Sequence, residues 1–132
     1  MGQIAGSTTE PRRILVVDDE ASIRTLLTAL FTEAGYEVHA AANATDAMAL
    51  CASNCFDVLL SDVRMPGMNG HELVRNMVVQ HPNVRCCLMS GMDPECENRW
   101  RTPRQCPLLP KPFRAQQALA LIAQILGDAP VS

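Results

Sequence analysis

Short apolar runs alternate along the chain with segments whose apolar residues recur every three or four positions. The first run, ILVV, is apolar at every position, so both faces of the strand would be apolar. This favours a strand that is covered on both faces. PLLP is a weaker run, because its two prolines allow only a strand at or near a sheet edge. The predicted strands cover residues 14–17, 36–41, 57–61, 84–90 and 107–110.

The segments between these runs show helical spacing. In the first of them one stripe contains Ile23, Leu26, Leu27, Leu30, Phe31 and Ala34. Gly35 stands where a glycine commonly ends a helix, and Asn43 is a suitable cap for the next one. The predicted helices cover residues 20–34, 44–52, 70–80 and 115–126, and a further helix between 92 and 106 is expected to be short or irregular because prolines interrupt it.

Alternating strands and helices with short connections predict a parallel sheet between helical layers, because parallel neighbours need right-handed crossovers. The fold class expected is α/β, a doubly wound (βα)₅ three-layer sandwich. With no internal repeat, one domain is predicted over residues 12–127, with tails at 1–11 and 128–132.

Composition narrows the classes of function. The 132 residues carry a net charge of −3 without any block of lysine and arginine, so nucleic acid is not expected as a direct partner. No apolar stretch approaches the roughly 20 residues that cross a bilayer, and the first residues lack the apolar core of a signal peptide, so we predict a cytoplasmic protein without membrane contact. Because no export signal is recognised, the six cysteines are expected to be reduced, small core residues. No CxxC pair is present, which argues against a zinc site.

Polar residues stand at the ends of four of the five predicted strands. Asp18 and Asp19 follow the first, Asp62 follows the third, Ser90 is the last residue of the fourth and Lys111 follows the fifth. Parallel strands end at one edge of the sheet, where ligands bind, so these side chains should meet. Carboxylates about 4 Å apart repel by roughly 4 kcal/mol per pair at an effective dielectric near 20, so a cation is expected among them. Carboxylates, a lysine and a hydroxyl together suit Mg²⁺ and a phosphoryl group, with an aspartate as nucleophile.

Four motifs then resemble one family over residues 12–126. They are VVDDE, DVRMPGMNG, the pair Ser90-Gly91 and KPF, and together they resemble the response regulator receiver domain of bacterial two-component signalling. The resemblance implies the flavodoxin-like strand order 2-1-3-4-5. It also implies partners: a histidine kinase or histidine phosphotransfer protein as donor, and a downstream protein as target.

The resemblance further implies a role for each matching residue. Asp62 would accept the phosphoryl group from a phosphohistidine and later lose it slowly, while Ser90 and Lys111 would hold the phosphoryl oxygens. Asp19 would bind Mg²⁺ directly, Asp18 mostly through water, and Arg64 through its backbone carbonyl. The bond between Lys111 and Pro112 is expected to be cis.

Three departures from the family pattern stand out. Leu108 occupies the place that usually holds a switching aromatic residue. The segment 92–106, with the sole tryptophan Trp100, departs from a regular helix, which suggests an altered partner surface. Arg64 and Met92 lie two places beyond Asp62 and Ser90, where longer side chains are expected to shield an acyl phosphate from water.

Two other functions compete with phosphoryl acceptance. A receiver-like interaction module that takes no phosphate is favoured by Leu108 and by the reduced helix. A Mg²⁺-dependent phosphatase of the haloacid dehalogenase type needs D-x-D after its first strand, where this chain has adjacent aspartates. A P-loop enzyme is excluded because the chain has no GxxxxGK[ST].

Overall fold

A five-stranded parallel sheet organises the protein, whose computed structural model describes residues 11–91 and 107–127. The strands are β1 (Arg13–Val17), β2 (Glu37–Ala41), β3 (Val58–Asp62), β4 (Arg85–Ser90) and β5 (Leu108–Pro110). They lie in the order β2-β1-β3-β4-β5, and every neighbouring pair is parallel. The predicted fold class and strand order are confirmed.

Four helices connect and cover the strands in the described ranges: α1 (Ala21–Glu33), α2 (Ala44–Ser53), α3 (Gly70–Gln80) and α4 (Ala115–Leu126). Asn43 caps α2 as predicted, since its side chain accepts a hydrogen bond from the Asp46 amide at 2.8 Å. Asn69 and Glu72 form a capping box at the start of α3. The irregular helix predicted between 92 and 106, with Met92 and Trp100, lies outside the described residues.

The core lies on both faces of the sheet, as the apolar runs predict. Along β1, Ile14 and Val16 pack with residues of α1 and α4, whereas Leu15 and Val17 pack with residues of α2 and α3. All four side chains are fully buried. Each face therefore removes apolar surface from water, and the central strands have no solvent-facing side.

One position of the predicted α1 stripe is wrong. Leu27 and Phe31 are fully buried and Ile23 is half-buried, but Leu26 is 51% exposed. The row formed by Ile23, Leu27 and Phe31 faces the sheet, and Leu26 belongs to the neighbouring row at its flank. The helix thus buries a narrower stripe than its apolar pattern indicates.

The cysteines in the described ranges are free thiols, namely Cys51, Cys55, Cys86 and Cys87. Cys51 and Cys87 are buried as predicted, and burial raises the pKa of the Cys51 thiol. Cys55 is exposed, so the prediction of a core position was wrong there, because α2 has already ended and residue 55 lies in the loop before β3. No helix in the described ranges is long and apolar enough to span a bilayer.

Two arginines fix the end of α4 to the edge of the sheet where the strands begin. Arg12 donates from Nη2 to the carbonyl oxygen of Leu126 at 3.5 Å, and Arg85 donates from Nη1 to the carbonyl oxygen of Ile125. These contacts supply donors to carbonyls that have no partner inside the helix, and they place positive charge at the negative end of its dipole.

Candidate functional site

Three carboxylates meet where the strands end, as the parallel topology predicts. Asp18 follows β1 and Asp62 is the last residue of β3. One oxygen from each of Asp18, Asp19 and Asp62 lies within 4.8 Å of the others. Asp18 is fully buried and Asp62 is 8% exposed, whereas Asp19 faces solvent. We call these three residues the acidic triad.

Asp18 is held on both of its carboxylate oxygens. Oδ1 accepts a hydrogen bond from the Glu20 amide at 2.9 Å, and Oδ2 lies 2.8 Å from the Lys111 ammonium nitrogen. Its own amide donates to the carbonyl of Ala41 at 3.1 Å. A fully buried carboxyl group needs such partners, and they fix the position of the Asp18 side chain at the base of the triad.

Lys111 supplies the positive charge that the acidic residues require. Its ammonium nitrogen lies 3.4 Å from Asp62 Oδ2 as well as close to Asp18. Burial works to lower the pKa of Lys111, but the hydrogen bond to Asp18 and the charges of Asp62 and Asp18 outweigh it and raise that pKa. Lys111 is also the sole lysine of the sequence, so the contact is made by a residue type that occurs nowhere else.

The Asp62 carboxyl is less acidic than usual. Burial and the neighbouring charge of Asp18 raise its pKa, while Lys111 and a backbone hydrogen bond from Arg64 act in the opposite direction. A raised pKa means that the ionised form of Asp62 lowers the free energy of unfolding. Such a carboxylate is stabilised by any further cation placed beside it.

Ser90 and Lys111 are joined through the backbone at the same edge. Ser90 is the buried last residue of β4, and its carbonyl accepts a hydrogen bond from the Lys111 amide at 2.7 Å. The Ser90 hydroxyl donates to the Gly91 carbonyl at 2.7 Å. The bond from Lys111 to Pro112 is cis, as the resemblance implied.

A loop pocket borders the exposed side of the triad. Its volume is about 460 Å³, and it is lined by Asp19, Val63, Arg64, Met65, Pro66, Gly67 and Asn69. The Arg64 side chain is exposed there. Three carboxylates, one of them open to solvent, are the oxygen donors that Mg²⁺ prefers, since this ion keeps several waters and takes one or two carboxylates. The residues present therefore fit a magnesium ion.

Gly70 packs directly against the backbone of Asp62. A Cβ atom on residue 70 would lie 2.3 Å from the Asp62 carbonyl oxygen and 3.0 Å from Val63 Cα. The Gly70 amide also donates to the Val63 carbonyl at 2.9 Å. The positive φ of 77° in this loop belongs to Gly67, whereas residue 70 is a glycine because α3 begins against β3.

Arg24 is a residue near the site that the sequence reasoning missed. Its Nη1 atom donates to the backbone carbonyl of Asp18 at 2.8 Å from the first turn of α1. The only sequence signal is an arginine six places after Asp18 in an otherwise uncharged helix start. At Leu108, the other departure from the pattern, the side chain is half-buried and packs against the core on the α2 and α3 face.

Comparison with known proteins agrees with this geometry. The profile of the response regulator receiver domain matches residues 14–123. The DNA-binding transcriptional regulator NtrC of Salmonella typhimurium is 34% identical over 115 residues, covering 86% of this chain and 24% of that protein. Sporulation initiation phosphotransferase F of Bacillus subtilis is 37% identical over 79 residues, covering 60% of this chain and 64% of that protein.

Solved structures show the same likeness. The chemotaxis protein CheY4 of Vibrio cholerae superposes with a TM-score of 0.78 at 28% identity, covering 89% of this chain and all of that one. The signal receiver domain of an HD domain-containing protein from Pseudomonas fluorescens Pf-5 gives a TM-score of 0.84 at 28% identity, covering 89% and 96%.

The relatives differ in how much lies beyond the shared part. The chain spans 24% of the length of NtrC and 64% of the sporulation phosphotransferase, and DNA binding appears only in the name of the former. The expectation that this chain has no nucleic-acid partner therefore stays a prediction. Because the family profile covers most of the chain and the fold agrees with it, the chain belongs to the response regulator receiver domain family of two-component signalling.

Proposed function

We propose that this receiver takes a phosphoryl group from a phosphohistidine onto Asp62 in a Mg²⁺-dependent reaction. The observation that carries the proposal is the position of the Asp62 carboxylate, which lies at a strand end among two further carboxylates and 3.4 Å from Lys111. The donor would be a histidine kinase or a histidine phosphotransfer protein, and a downstream protein would read the result.

In this proposal Asp19, Asp18, Asp62 and the Arg64 carbonyl would hold the metal, with Asp19 binding directly and Asp18 mostly through water. Mg²⁺, when bound, supplies positive charge next to the attacking carboxylate and the phosphoryl oxygens. The exposed Asp19 and the loop pocket beside it give an ion a path from solvent. Asp18 stays in its hydrogen bonds and contributes negative charge.

The transfer is a direct displacement. An oxygen of Asp62 forms a bond to phosphorus while the bond from phosphorus to the donor imidazole nitrogen breaks, and the imidazole keeps that electron pair. No separate base is needed, because the carboxylate is already ionised, so positioning and charge neutralisation do most of the work. Lys111 stands beside Asp62 to bind the incoming oxygens, and the Ser90 hydroxyl would turn from the Gly91 carbonyl to bind another.

Intact mass after incubation with a small phosphodonor tests the proposal. With Mg²⁺ we expect one added phosphoryl group, and with EDTA or in Asp62→Asn we expect none. Asp57→Asn is the matched control, because Asp57 lies at the opposite end of β3 and its carboxylate binds the Arg13 amide instead. Uptake that persists in Asp62→Asn would move the acceptor elsewhere.

One alternative keeps a specific observation in its favour. Leu108 stands where receivers usually carry a switching aromatic residue, so a receiver that binds partners without taking phosphate would suit this chain. Absence of phosphoryl uptake by the native chain, with Mg²⁺ and several phosphodonors, would favour this alternative.

The exposed Arg64 side chain should lengthen the life of the phosphorylated state. It lines the pocket beside the triad, where its length would hinder a water approaching phosphorus in line with the bond to Asp62. We expect Arg64→Ala to shorten the phosphoryl half-life by about 3-fold, which corresponds to roughly 0.6 kcal/mol of barrier. The half-life is measured by removing the phosphodonor and following intact mass.

Arg75→Ala serves as the control for this comparison, since it removes an exposed arginine from α3. It should leave the half-life as in the native chain. Equal half-lives for Arg64→Ala and the native chain would reject the shielding role.

A further inference from the structure

We infer that Arg24 is a positioning residue that orients Asp19 through the peptide group between Asp18 and Asp19. The inference rests on the proposed function for its metal, but its structural basis is independent of any ion. The Arg24 guanidinium donates from Nη1 to the Asp18 carbonyl oxygen at 2.8 Å and is only partly exposed. Arg24 therefore binds the backbone of the acidic triad from α1, the helix that follows β1.

Asp19 is the member of the triad that needs such help. Asp18 is held on both oxygens, and Asp62 lies beside Lys111. For Asp19, the structure shows no hydrogen bond or ion pair of the carboxylate to other described residues, and the side chain faces solvent. The orientation of the Asp19 carboxylate must then be set by the backbone of residues 18 and 19.

The Asp18 carbonyl controls that backbone. The carbonyl of residue 18 and the amide nitrogen of residue 19 belong to one planar peptide unit, so fixing the oxygen fixes the plane from which Asp19 departs. The other side of residue 18 is tied down as well, because its amide donates to Ala41. The Arg24 guanidinium adds a restraint on the carbonyl side of residue 18.

The start of α1 places Arg24 for this contact. The Arg24 amide donates to the Glu20 carbonyl at 3.2 Å, so the backbone of residue 24 closes the first turn of the helix. The Arg24 side chain then extends back along the helix, past its first turn, to the carbonyl oxygen of Asp18. An arginine suits the task, because its planar guanidinium keeps its donors in a rigid fork, whereas a lysine offers one mobile ammonium.

The first test measures Mg²⁺ affinity by titration calorimetry. Residues that hold a metal ligand in place commonly change affinity by 10-fold or more when removed, so we expect Arg24→Ala to weaken Mg²⁺ binding about 10-fold. Arg24→Lys keeps the charge and should recover part of the affinity. Arg75→Ala removes an equal charge from α3 and should bind like the native chain. Melting curves verify that each variant is folded at the titration temperature.

The second test needs no metal. In ¹⁵N relaxation of the metal-free protein, the amides of Asp19 and Glu20 should have order parameters of about 0.85 in the native chain, as in rigid backbone. In Arg24→Ala they should fall toward about 0.6, the range of flexible backbone, and in Arg75→Ala they should not change. Native order parameters in Arg24→Ala would overturn the inference.

The two tests separate the two proposals. If the native chain binds no Mg²⁺, the proposed function fails, while the order parameters still decide the role of Arg24. If the native chain binds Mg²⁺ and Arg24→Ala binds it equally well, the positioning role is overturned and the proposed function stands.

Discussion

Replacing Gly70 by alanine should lower the free energy of unfolding by about 3 kcal/mol, at the upper end of the range for overpacked sites. The added methyl group would lie 2.3 Å from the Asp62 carbonyl oxygen, and both of its nearest neighbours belong to the backbone. Backbone cannot move aside as a flexible side chain can, so α3 and the end of β3 must separate. Urea denaturation monitored by circular dichroism measures the loss, and the melting temperature should fall by roughly 10 °C or more.

Gly91→Ala is the matched control for this change. Residue 91 follows β4 at the same edge of the sheet, and a Cβ atom there would meet no described atom within 4 Å. Its stability should stay within about 0.5 kcal/mol of the native value, as for ordinary surface substitutions. If both variants unfold at the same urea concentration, the close contact between Gly70 and Asp62 does not restrict position 70 to glycine.

Replacing Lys111 by methionine should destabilise the metal-free protein by about 2 kcal/mol at neutral pH. Methionine keeps much of the side-chain volume but leaves the acidic triad without its cation, and removing one partner of a buried ion pair is costly. The Lys111 side chain is 18% exposed and that of Asp18 is fully buried, so water can screen the remaining charges only in part. Urea denaturation at pH 7 with EDTA measures the loss.

The pH dependence of this loss follows from the two pKa shifts. Partners raise the pKa of Lys111, so its stabilisation is fully present below the usual value of 10.5 and is lost as the pH rises through the higher folded value. The raised pKa of Asp62 means that its ionised form costs stability above its usual value of 3.8. The difference in stability between Lys111→Met and the native chain should therefore shrink on acidification, as the Asp62 carboxylate becomes protonated.

A double-mutant cycle with Asp62→Asn assigns the effect to the site. Asp62→Asn should stabilise the native chain at pH 7 and should stabilise Lys111→Met by about 1 kcal/mol more, since the repulsion is then unopposed. Additive effects of the two changes would contradict the contact between them. As Lys111 is the sole lysine, ¹³C reductive methylation labels it and the terminal amine alone, so its titration can be followed directly.

The sequence predicted the architecture and the members of the candidate site for one physical reason. Buried parallel strands must be apolar throughout, so the first polar residue after each run marks the end of a strand, and parallel strands end at one edge. The sequence alone therefore predicts that Asp18, Asp62 and Lys111 lie together. Their chemical roles remain proposals.

The details that the sequence did not predict depend on contacts between elements. The clash at Gly70 arises because α3 starts against β3, and the pattern within either element does not contain that distance. The reach of Arg24 to Asp18 likewise depends on how α1 leaves β1. The exposure of Leu26 was not predicted because helical periodicity locates the centre of a buried stripe better than its borders.

The arginine contacts at the end of α4 also bear on how the protein can be handled in the laboratory. Since the Arg12 guanidinium reaches the Leu126 carbonyl at 3.5 Å, the two ends of the described fold lie side by side, at the pole away from the carboxylates. Tethering either end to a bead or sensor chip would leave the acceptor pole facing the solution. A short linker between these ends would also permit circular permutation, with new termini opened in a surface loop.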